Sequence, residues 1–463
     1  MTRFAFPIEL DVRPGRGATD SLHGQLREAI LEGRLATGFR LPATRDLAAM
    51  IGTARATVVT AYDMLVAEGY VQTRRGDGTF VQAVRRETPP AAAARADPPR
   101  LATAAPRHDL RLGSPDVTGF PFDVWRRLES RGWRAAGRGA YDAIDPAGLA
   151  SLRSAIVGHA SYARAVSCSP DDVVVTAGAQ QAFDLLARTL AGPATIVAVE
   201  DPGYTPMRHA FAAAGARIVG VPVDDEGIIV ERIPAGSKVV CVTPSHQFPL
   251  GVTLSAARRA ALLDWARRHG AHIVEDDYDC EYRYDARPLD ALQTLAPALV
   301  CYVGTFSKTM FPALRIGYAV VPPALRGPML ALRMASDGGG SPAPQQALAA
   351  FIGEGHLHRH IRRMRRRYAA RRDALIAGLS ERLGERIAIL PSTAGLHFSF
   401  ALRGDADWDM IARRAGDHGV AFERCARYAV AAAPDDPRCA IGFGLIDDHH
   451  LADVIDRLSV ILA

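Results

Sequence analysis

Lysine is nearly missing from this chain. Of its 55 basic residues only Lys238 and Lys308 are lysines, so 53 are arginine. Chemistry that needs a primary amine on the protein therefore has two side chains to draw on, or the N-terminus. Cysteine is sparse as well. The six cysteines, Cys168, Cys241, Cys280, Cys301, Cys425 and Cys439, form no C-x-x-C pair, so neither a disulfide framework nor a structural zinc site is supported and they read as reduced core residues. No apolar run approaches the ~18–20 residues of a membrane span, and the opening MTRFAFPIEL lacks the basic-then-apolar layout of a secretory signal. A cytoplasmic protein with no membrane partner is the expectation. Charge of one sign is not in excess either: a net charge of +5 and a pI near 9.0 favour polyanions only mildly, so local placement must decide whether nucleic acid is a partner.

With 463 residues, 48% hydrophobic and 23% charged, the chain can bury a sizeable core and has the length of two or three domains. Composition shifts between Ala83 and Arg107, where AVRRETPPAAAARADPPRLATAAPR is rich in Ala, Pro and Arg without apolar periodicity. That reads as a linker. The expected organisation is a domain over 1–82, a linker over 83–107 and a larger domain over 108–463, with no internal repeat on either side.

In the first segment Ser21 can cap a helix in which Leu22, Leu26, Ala29 and Ile30 recur until Gly33 ends it. A second helix spans roughly Ala43 to Met50. Thr53 can cap a third, with Val58, Ala61, Leu65 and Val66 as its buried stripe and Gly69 as its stop. Tyr70 to Thr73 and Thr79 to Val81 then read as strands flanking Arg74-Arg75-Gly76-Asp77-Gly78, a hairpin tip. Three helices and a hairpin make a winged helix.

Its recognition helix would carry Arg55 and Thr57 on the exposed first turn, while Arg45 opens the preceding helix where phosphate contacts are usual. Arg74 and Arg75 arm the wing, and the glycines beside them allow close approach to a backbone or minor groove. The segment holds 10 Arg against 9 Asp plus Glu, so binding would depend on where the cations sit rather than on bulk charge. A protein-docking module with a solvated Arg wing is the competing reading. The run SLHGQLREAILEGRLATGFRLPATRDLAAMIGTARATVVTAYDMLVAEGYVQTRRGDGTFV resembles the GntR family of bacterial regulators almost end to end, through LPATRDLA, the TV-x-x-AY-x-x-L-x-x-EG helix and the G-x-GTFV wing. The resemblance implies that Arg45, Arg55, Thr57 and Gly78 contact double-stranded operator DNA.

The second segment alternates apolar strands (Val173 to Thr176, Ile196 to Val199, Ile218 to Pro222, Val239 to Thr243, His272 to Val274, Val300 to Gly304, Gly317 to Val321) with helical stretches, which argues a mostly parallel α/β domain. Longer helices follow from about Ala324. Strands near Leu396 to Phe400 and Ala440 to Gly442 then suggest a smaller C-terminal α+β lobe.

Pyridoxal phosphate chemistry needs an amine for the aldehyde, a carboxylate for the pyridine nitrogen, an aromatic plate and an anion cradle. The sequence offers each. Lys308 lies in GTFSKTMFPALR on a loop at a strand terminus, where α/β sites are built, though a solvated surface lysine reads the same way alone. Glu275, Asp276, Asp277, Asp279 and Glu281 crowd the end of one strand, which is costly unless a cation sits there. A pyridinium would relieve Asp276; a divalent metal, without an accompanying His pattern, or a solvated acidic turn are the rival readings. Tyr278, two residues on, shares a face with Asp276 and could donate to the ring hydroxyl. Gly178 and Ala179 open a helix after a strand, where N–H groups and the helix dipole suit a phosphate. That glycine belongs to no G-x-x-x-x-G-K, and no G-x-G-x-x-G follows a strand, so nucleotide cofactors are disfavoured. Thr305, Ser307 and Arg315 could complete the cradle, and Tyr204 could stack on the cofactor or simply pack.

With TPSHQFPLG, EDDYDCEYRY and YVGTFSKTMFPALRIGY, the segment from about His108 to Ala463 resembles a fold type I aminotransferase, specifically the MocR subfamily. That resemblance implies Lys308 as the Schiff-base lysine, Asp276 at the pyridine nitrogen, Tyr278 at the ring hydroxyl, Tyr204 over the ring, and Gly178, Ser307 and Arg315 around the phosphate. It also implies a homodimer. Two departures stand out. Aminotransferases carry N-P-T-G where this chain has Ser245-His246-Gln247-Phe248-Pro249-Leu250-Gly251, which puts His246 near the place of the ring-contacting Asn. Ala440 stands where their carboxylate-binding Arg precedes Phe443, leaving Arg438 and Arg208 as candidates for an effector carboxylate.

The expected protein is a regulator whose winged helix reads operator DNA. Its aminotransferase-like domain would sense an amine, an amino acid or pyridoxal phosphate itself at Lys308, without physiological turnover. The alternatives are a working aminotransferase with an accessory DNA-binding domain, and a dimerisation scaffold with an empty pocket. The eight arginines of HRHIRRMRRRYAARRD, residues 358–373, read as a solvated helix face or as a second DNA contact.

Overall fold

The computed structural model describes residues 6–13, 15–83, 106–135, 145–284 and 289–463. The chain divides into two compact units, Met1–Leu101 and Ala102–Ala463; most of the expected linker, residues 84–105, lies outside the described residues.

In the first unit, helices Ala18–Leu31, Thr44–Met50 and Arg55–Ala67 precede an antiparallel hairpin of Val71–Arg74 and Gly78–Val81. Leu22, Leu26, Leu47, Val58 and Leu65 are fully buried and close its core. Three details differ from the sequence reading. The first helix begins at Ala18, so Ser21 lies inside it, and its hydroxyl accepts from Gln25 Nε2 at 3.1 Å rather than capping. The third begins at Arg55, so its N-cap position is the extended Ala54, which has no side-chain acceptor, and Thr53 lies one residue too early, its N–H donating to Ala48 O in the preceding turn. Val66 points to solvent, and the buried stripe is completed by Tyr62, whose hydroxyl donates to Pro42 O at 3.0 Å.

The second unit is built on an eight-stranded sheet. Its spatial order is Val173–Thr176, Gly317–Val320, Val300–Thr305, His272–Asp277, Ser237–Val242, Ile196–Asp201, Arg217–Asp224 and Gly227–Ile228. Strands from Val300–Thr305 to Arg217–Asp224 run parallel; Gly317–Val320 is antiparallel to both neighbours, and Gly227–Ile228 folds back as a short hairpin. All seven strands read from the sequence belong to this sheet. Apolar side chains alternate across it into two cores, one around Phe183, Val197 and Val274 and another around Val240, Leu262 and Ile273, as expected of a sheet covered on both faces. A smaller antiparallel sheet, ordered Ile387–Ile389, His397–Leu402, Arg438–Gly442, Glu423–Arg424, forms the C-terminal lobe with helices His356–Leu383 and Leu451–Leu462.

Candidate functional site

The parallel strands end on one edge of the sheet, and a cleft of about 750 Å³ opens there. Its walls include Ala179, Tyr204, Phe248, Asp276, Tyr278, Thr305, Ser307, Lys308 and Arg315. These side chains come from the ends of several strands and the loops that follow them, Asp276 and Tyr278 from one strand and Thr305, Ser307, Lys308 and Arg315 from another, the usual place for a ligand in such a sheet.

Asp276 belongs to the strand itself, which runs three residues further than the sequence suggested, to Asp277. That extension explains how five acids tolerate one another. Side chains alternate along a strand, so Glu275 and Asp277 leave on the face opposite Asp276. There Asp277 meets Arg164 Nε at 2.6 Å and the Tyr302 hydroxyl at 2.7 Å, while Glu275 accepts the N–H groups of Leu292 and Gln293. Asp279 pairs with His246, and Glu281 with His159 at 3.2 Å. Asp276 differs: its Oδ1 is buried with no hydrogen-bond partner. Burial first, and the charge of Asp277 second, push its carboxyl pKa well above the usual range, with Lys308 opposing. A buried, unsatisfied carboxylate at a cleft wall is what a cationic ligand atom would relieve.

Lys308 follows the strand Val300–Thr305 and is partly buried. Its Nζ donates to Gly113 O. Burial lowers the pKa of the amine, against the pull of Asp279 and Asp276. Gly113 has φ +81, a left-handed conformation that favours glycine where its carbonyl meets this amine. Nothing in the sequence around Gly113 distinguished it from any loop glycine. The other lysine, Lys238, is exposed and donates to His269 O at 3.2 Å.

Opposite, Gly178 (φ +78) turns the strand Val173–Thr176 into the helix Ala179–Leu190. Its own N–H is taken by Thr176 O and that of Ala177 by Gln181, which leaves the first-turn N–H groups, those of Ala179 and Gln180 among them, to face a ligand. The Arg315 guanidinium lies where a Cβ on Gly178 would meet it at 3.1 Å, and Nη2 donates to Ala177 O at 3.0 Å. Thr305 and Ser307 hydroxyls are 3.1 Å apart beside it. These donors converge as an anion cradle.

Tyr204 stands at the start of helix Thr205–Ala213, edge-on to Phe248 at 5.3 Å. Burial raises its hydroxyl pKa to about 12. The Tyr278 hydroxyl lies 2.9 Å from His246 O, to which it donates, and 3.1 Å from His246 Nδ1. His246 is not on the cleft wall; it lies behind Tyr278, held by Asp279 at 3.2 Å, and Phe248 faces the cleft instead. Donor atoms of His246, Asp279 and His397 lie within 4.8 Å of one another. A metal could in principle bridge such a spacing, yet His397 Nε2 is already 3.0 Å from Pro249 O and His246 Nδ1 is paired with Asp279. The three come from separate segments, so no spacing in the sequence could announce them.

The two arginines considered for an effector carboxylate do not reach the cleft. Arg438 is clamped by Asp436 through two bonds of 2.8 and 3.0 Å, and Arg208 donates to Ala429 O at 2.8 Å beside a separate small void. Both are captured by acceptors close to them in the fold. The arginines on the wall are Arg111 and Arg427 together with Arg315; neither of the first two stood out in the sequence.

In the first unit Arg45, Arg55, Arg74 and Arg75 are all exposed, and Thr57 is half-buried. Arg74 lies over the Phe80 ring at 4.8 Å. A Cβ on Gly78 would come within 2.7 Å of Arg40 Nε, so this glycine also makes room for Arg40, a further exposed cation on the wing. The Arg-rich helix is mostly spoken for. Arg371 is buried and bonds Asp116, Asp448 and Gly444 O, Arg367 joins the same acids, and Arg363, Arg365 and Arg372 donate to backbone oxygens of Gly119, Glu281 and Ser392. Arg359, Arg362, Arg363, Arg365 and Arg366 are nevertheless exposed, so one side of the helix is a solvated face while Arg371 and Arg372 are buried into the fold.

Residues 18–81 match the gntR family of bacterial regulatory proteins, and residues 107–431 match the class I and II aminotransferases. A probable rhizopine catabolism regulatory protein, MocR, of Rhizobium meliloti is 37% identical over 94% of this chain and 92% of its own length. The pyridoxine biosynthesis regulator PdxR of Corynebacterium glutamicum is 32% identical over 98% of each. A kynurenine aminotransferase of Pyrococcus horikoshii superposes with a TM-score of 0.71 at 27% identity, covering 78% of this chain and 91% of that one. The chain therefore belongs to the MocR-type transcriptional regulators of the GntR family, in which a DNA-binding helix-turn-helix is fused to an aminotransferase-like, pyridoxal-phosphate-binding domain.

Proposed function

We propose that this regulator holds pyridoxal 5′-phosphate at Lys308 and senses a small amine or amino acid there, as a homodimer whose winged helices bind operator DNA. The observation that carries the reading is the orphaned Oδ1 of Asp276, buried on the wall of the cleft that also receives Lys308. The bound cofactor would supply an electrophilic aldehyde able to exchange one amine for another.

The chain's own groups divide the work. Desolvation favours the neutral, nucleophilic form of the Lys308 amine. Asp276 would hold a proton at the pyridine nitrogen, the cation its environment calls for. Ala179 and Gln180 N–H groups, Ser307 and Arg315 would hold the phosphate, and Tyr204 and Tyr278 would border the ring. Lys308 would be the group set free when an effector amine occupies the cleft, and transcription would change only if the two resulting arrangements differ in free energy. The relatives named for control of rhizopine catabolism and of pyridoxine biosynthesis support a small-molecule response.

Borohydride reduction of the cofactor-treated protein followed by peptide mapping tests the reading. A pyridoxyl adduct on Lys308 is expected. Absence of any adduct would leave a dimerisation scaffold, and sustained turnover of amino acid with keto acid would favour a working aminotransferase.

A further inference from the structure

We infer that the effector is a primary amine that carries hydroxyl groups and no carboxylate, an inference that rests on Lys308 and its cleft being the sensing site. The argument begins with the cations available to a ligand there. Among the described residues, the arginines on the cleft wall are Arg111, Arg315 and Arg427, and Arg315 is committed to the anion cradle beside Gly178.

The other two already have carboxylate partners. Arg111 grips Asp109 through Nε at 2.8 Å and Nη2 at 2.5 Å. Arg427 Nη1 lies 3.0 Å from Glu423 Oε1. Glu423 cannot swing aside, because its Oε2 accepts from Leu112 N at 3.0 Å and from the Tyr428 hydroxyl at 2.7 Å, and its side chain is only 9% exposed. Arg427 itself is 70% exposed, so a ligand carboxylate that reached it would meet a solvated cation already neutralised by Glu423 and would lie beside that acid as a like charge.

The strand register deepens the point. Glu423 stands directly across from Ala440, and residues so opposed share a face of the sheet. Ala440 is fully buried in an apolar cluster with Leu250, Val252 and Cys425. An acid and an apolar patch thus occupy the part of this lobe where a carboxylate would need a cation. Arg438, two residues away, is clamped by Asp436.

The same groups suit a hydroxyl. It donates and accepts at once, so it can bridge Asp109 with Arg111, or Glu423 with Arg427 and Tyr428, without breaking either pair. The chain also links this wall to the amine: Leu112 bonds Glu423, and the next residue, Gly113, receives Lys308 Nζ. An amine reaching Lys308 therefore passes its substituents along alternating donors and acceptors whose formal charges cancel in pairs.

Serinol and serine make a matched test, since they differ by a hydroxymethyl group in place of a carboxylate. Each, with serine in both enantiomers, is titrated into full-length protein loaded with pyridoxal phosphate, and the absorbance of the bound cofactor is followed. Serinol is expected to reach half-change at a concentration at least tenfold below either serine. E423Q, which removes the carboxylate partner of Arg427, is expected to narrow that ratio at least threefold among the molecules that carry cofactor. Equal or stronger response to serine by the unmodified protein would overturn the inference, and so would a cofactor-loaded protein that answers neither probe. A protein that takes up no cofactor on Lys308 would instead defeat the sensing reading itself.

Discussion

Arg164 meets Asp277 at 2.6 Å on the hidden face of the strand whose other face presents Asp276. That ion pair decides which acid is left for the cleft. Both partners are almost wholly buried, 1% exposed each, and neighbouring Asp277 raises the carboxyl pKa of Asp276. Removing Arg164 would take from Asp277 its directly bonded cation and leave it and Glu275 with only the more distant Arg259. R164A is expected to lose about 3–5 kcal/mol of stability, the usual cost of breaking a buried pair, read by chemical denaturation; the double substitution R164M/D277N should lose clearly less.

Asp276 is the residue whose charge the cleft has no other use for. D276N keeps the shape and removes the charge, so retention of pyridoxal phosphate should weaken by about 1.5–3 kcal/mol, the worth of a charge-assisted hydrogen bond. Equilibrium dialysis checks this, with a tenfold or greater rise in dissociation constant as the expected outcome.

Glu200 supplies a pH dependence. It is buried, accepts from the backbone and hydroxyl of Thr243, and burial raises its pKa from 4.5 to about 7. The folded state thus keeps a proton that the unfolded chain has lost, so this group's contribution to stability is greatest below pH 4.5 and is lost as pH rises toward 7. E200Q never ionises. It should be more stable than the parent at pH 8, on the order of 2–3 kcal/mol from the size of the shift, with the advantage vanishing near pH 4.5 in denaturation midpoints.

Arg55 is the first residue of its helix and is exposed, with its Nε 3.4 Å from Thr44 Oγ1. R55A should therefore leave folding and dimerisation unchanged while weakening operator binding by about 1–3 kcal/mol. Fluorescence anisotropy with the promoter fragment measures it, and unchanged affinity would speak against this helix as the reader.

Legibility in the sequence followed the range of the interactions. The winged helix and all seven strands were visible because apolar periodicity and turn glycines are local signals. Lys308 and Asp276 were visible because an amine in a lysine-poor chain and a run of acids are chemically conspicuous. Helix starts at Ser21 and Thr53 were misread because a hydroxyl near a helix start need not cap it. Gly113, Arg111, Glu423 and Arg427 escaped because they matter only through partners far along the chain, such as Leu112 with Glu423. Arg371 shows the limit most plainly. In sequence it is one of eight arginines on a helix, while in the fold it bonds Asp116, 255 positions away, at 2.9 Å.

Because the cleft draws its groups from the ends of several strands and the loops after them, its lining can be altered loop by loop while the sheet underneath stays as it is. Natural variation could in this way give one ancestral scaffold many different chemical tastes, and engineers seeking biosensors with new triggers have the same handle in the connections after Asp201, Val242 and Thr305.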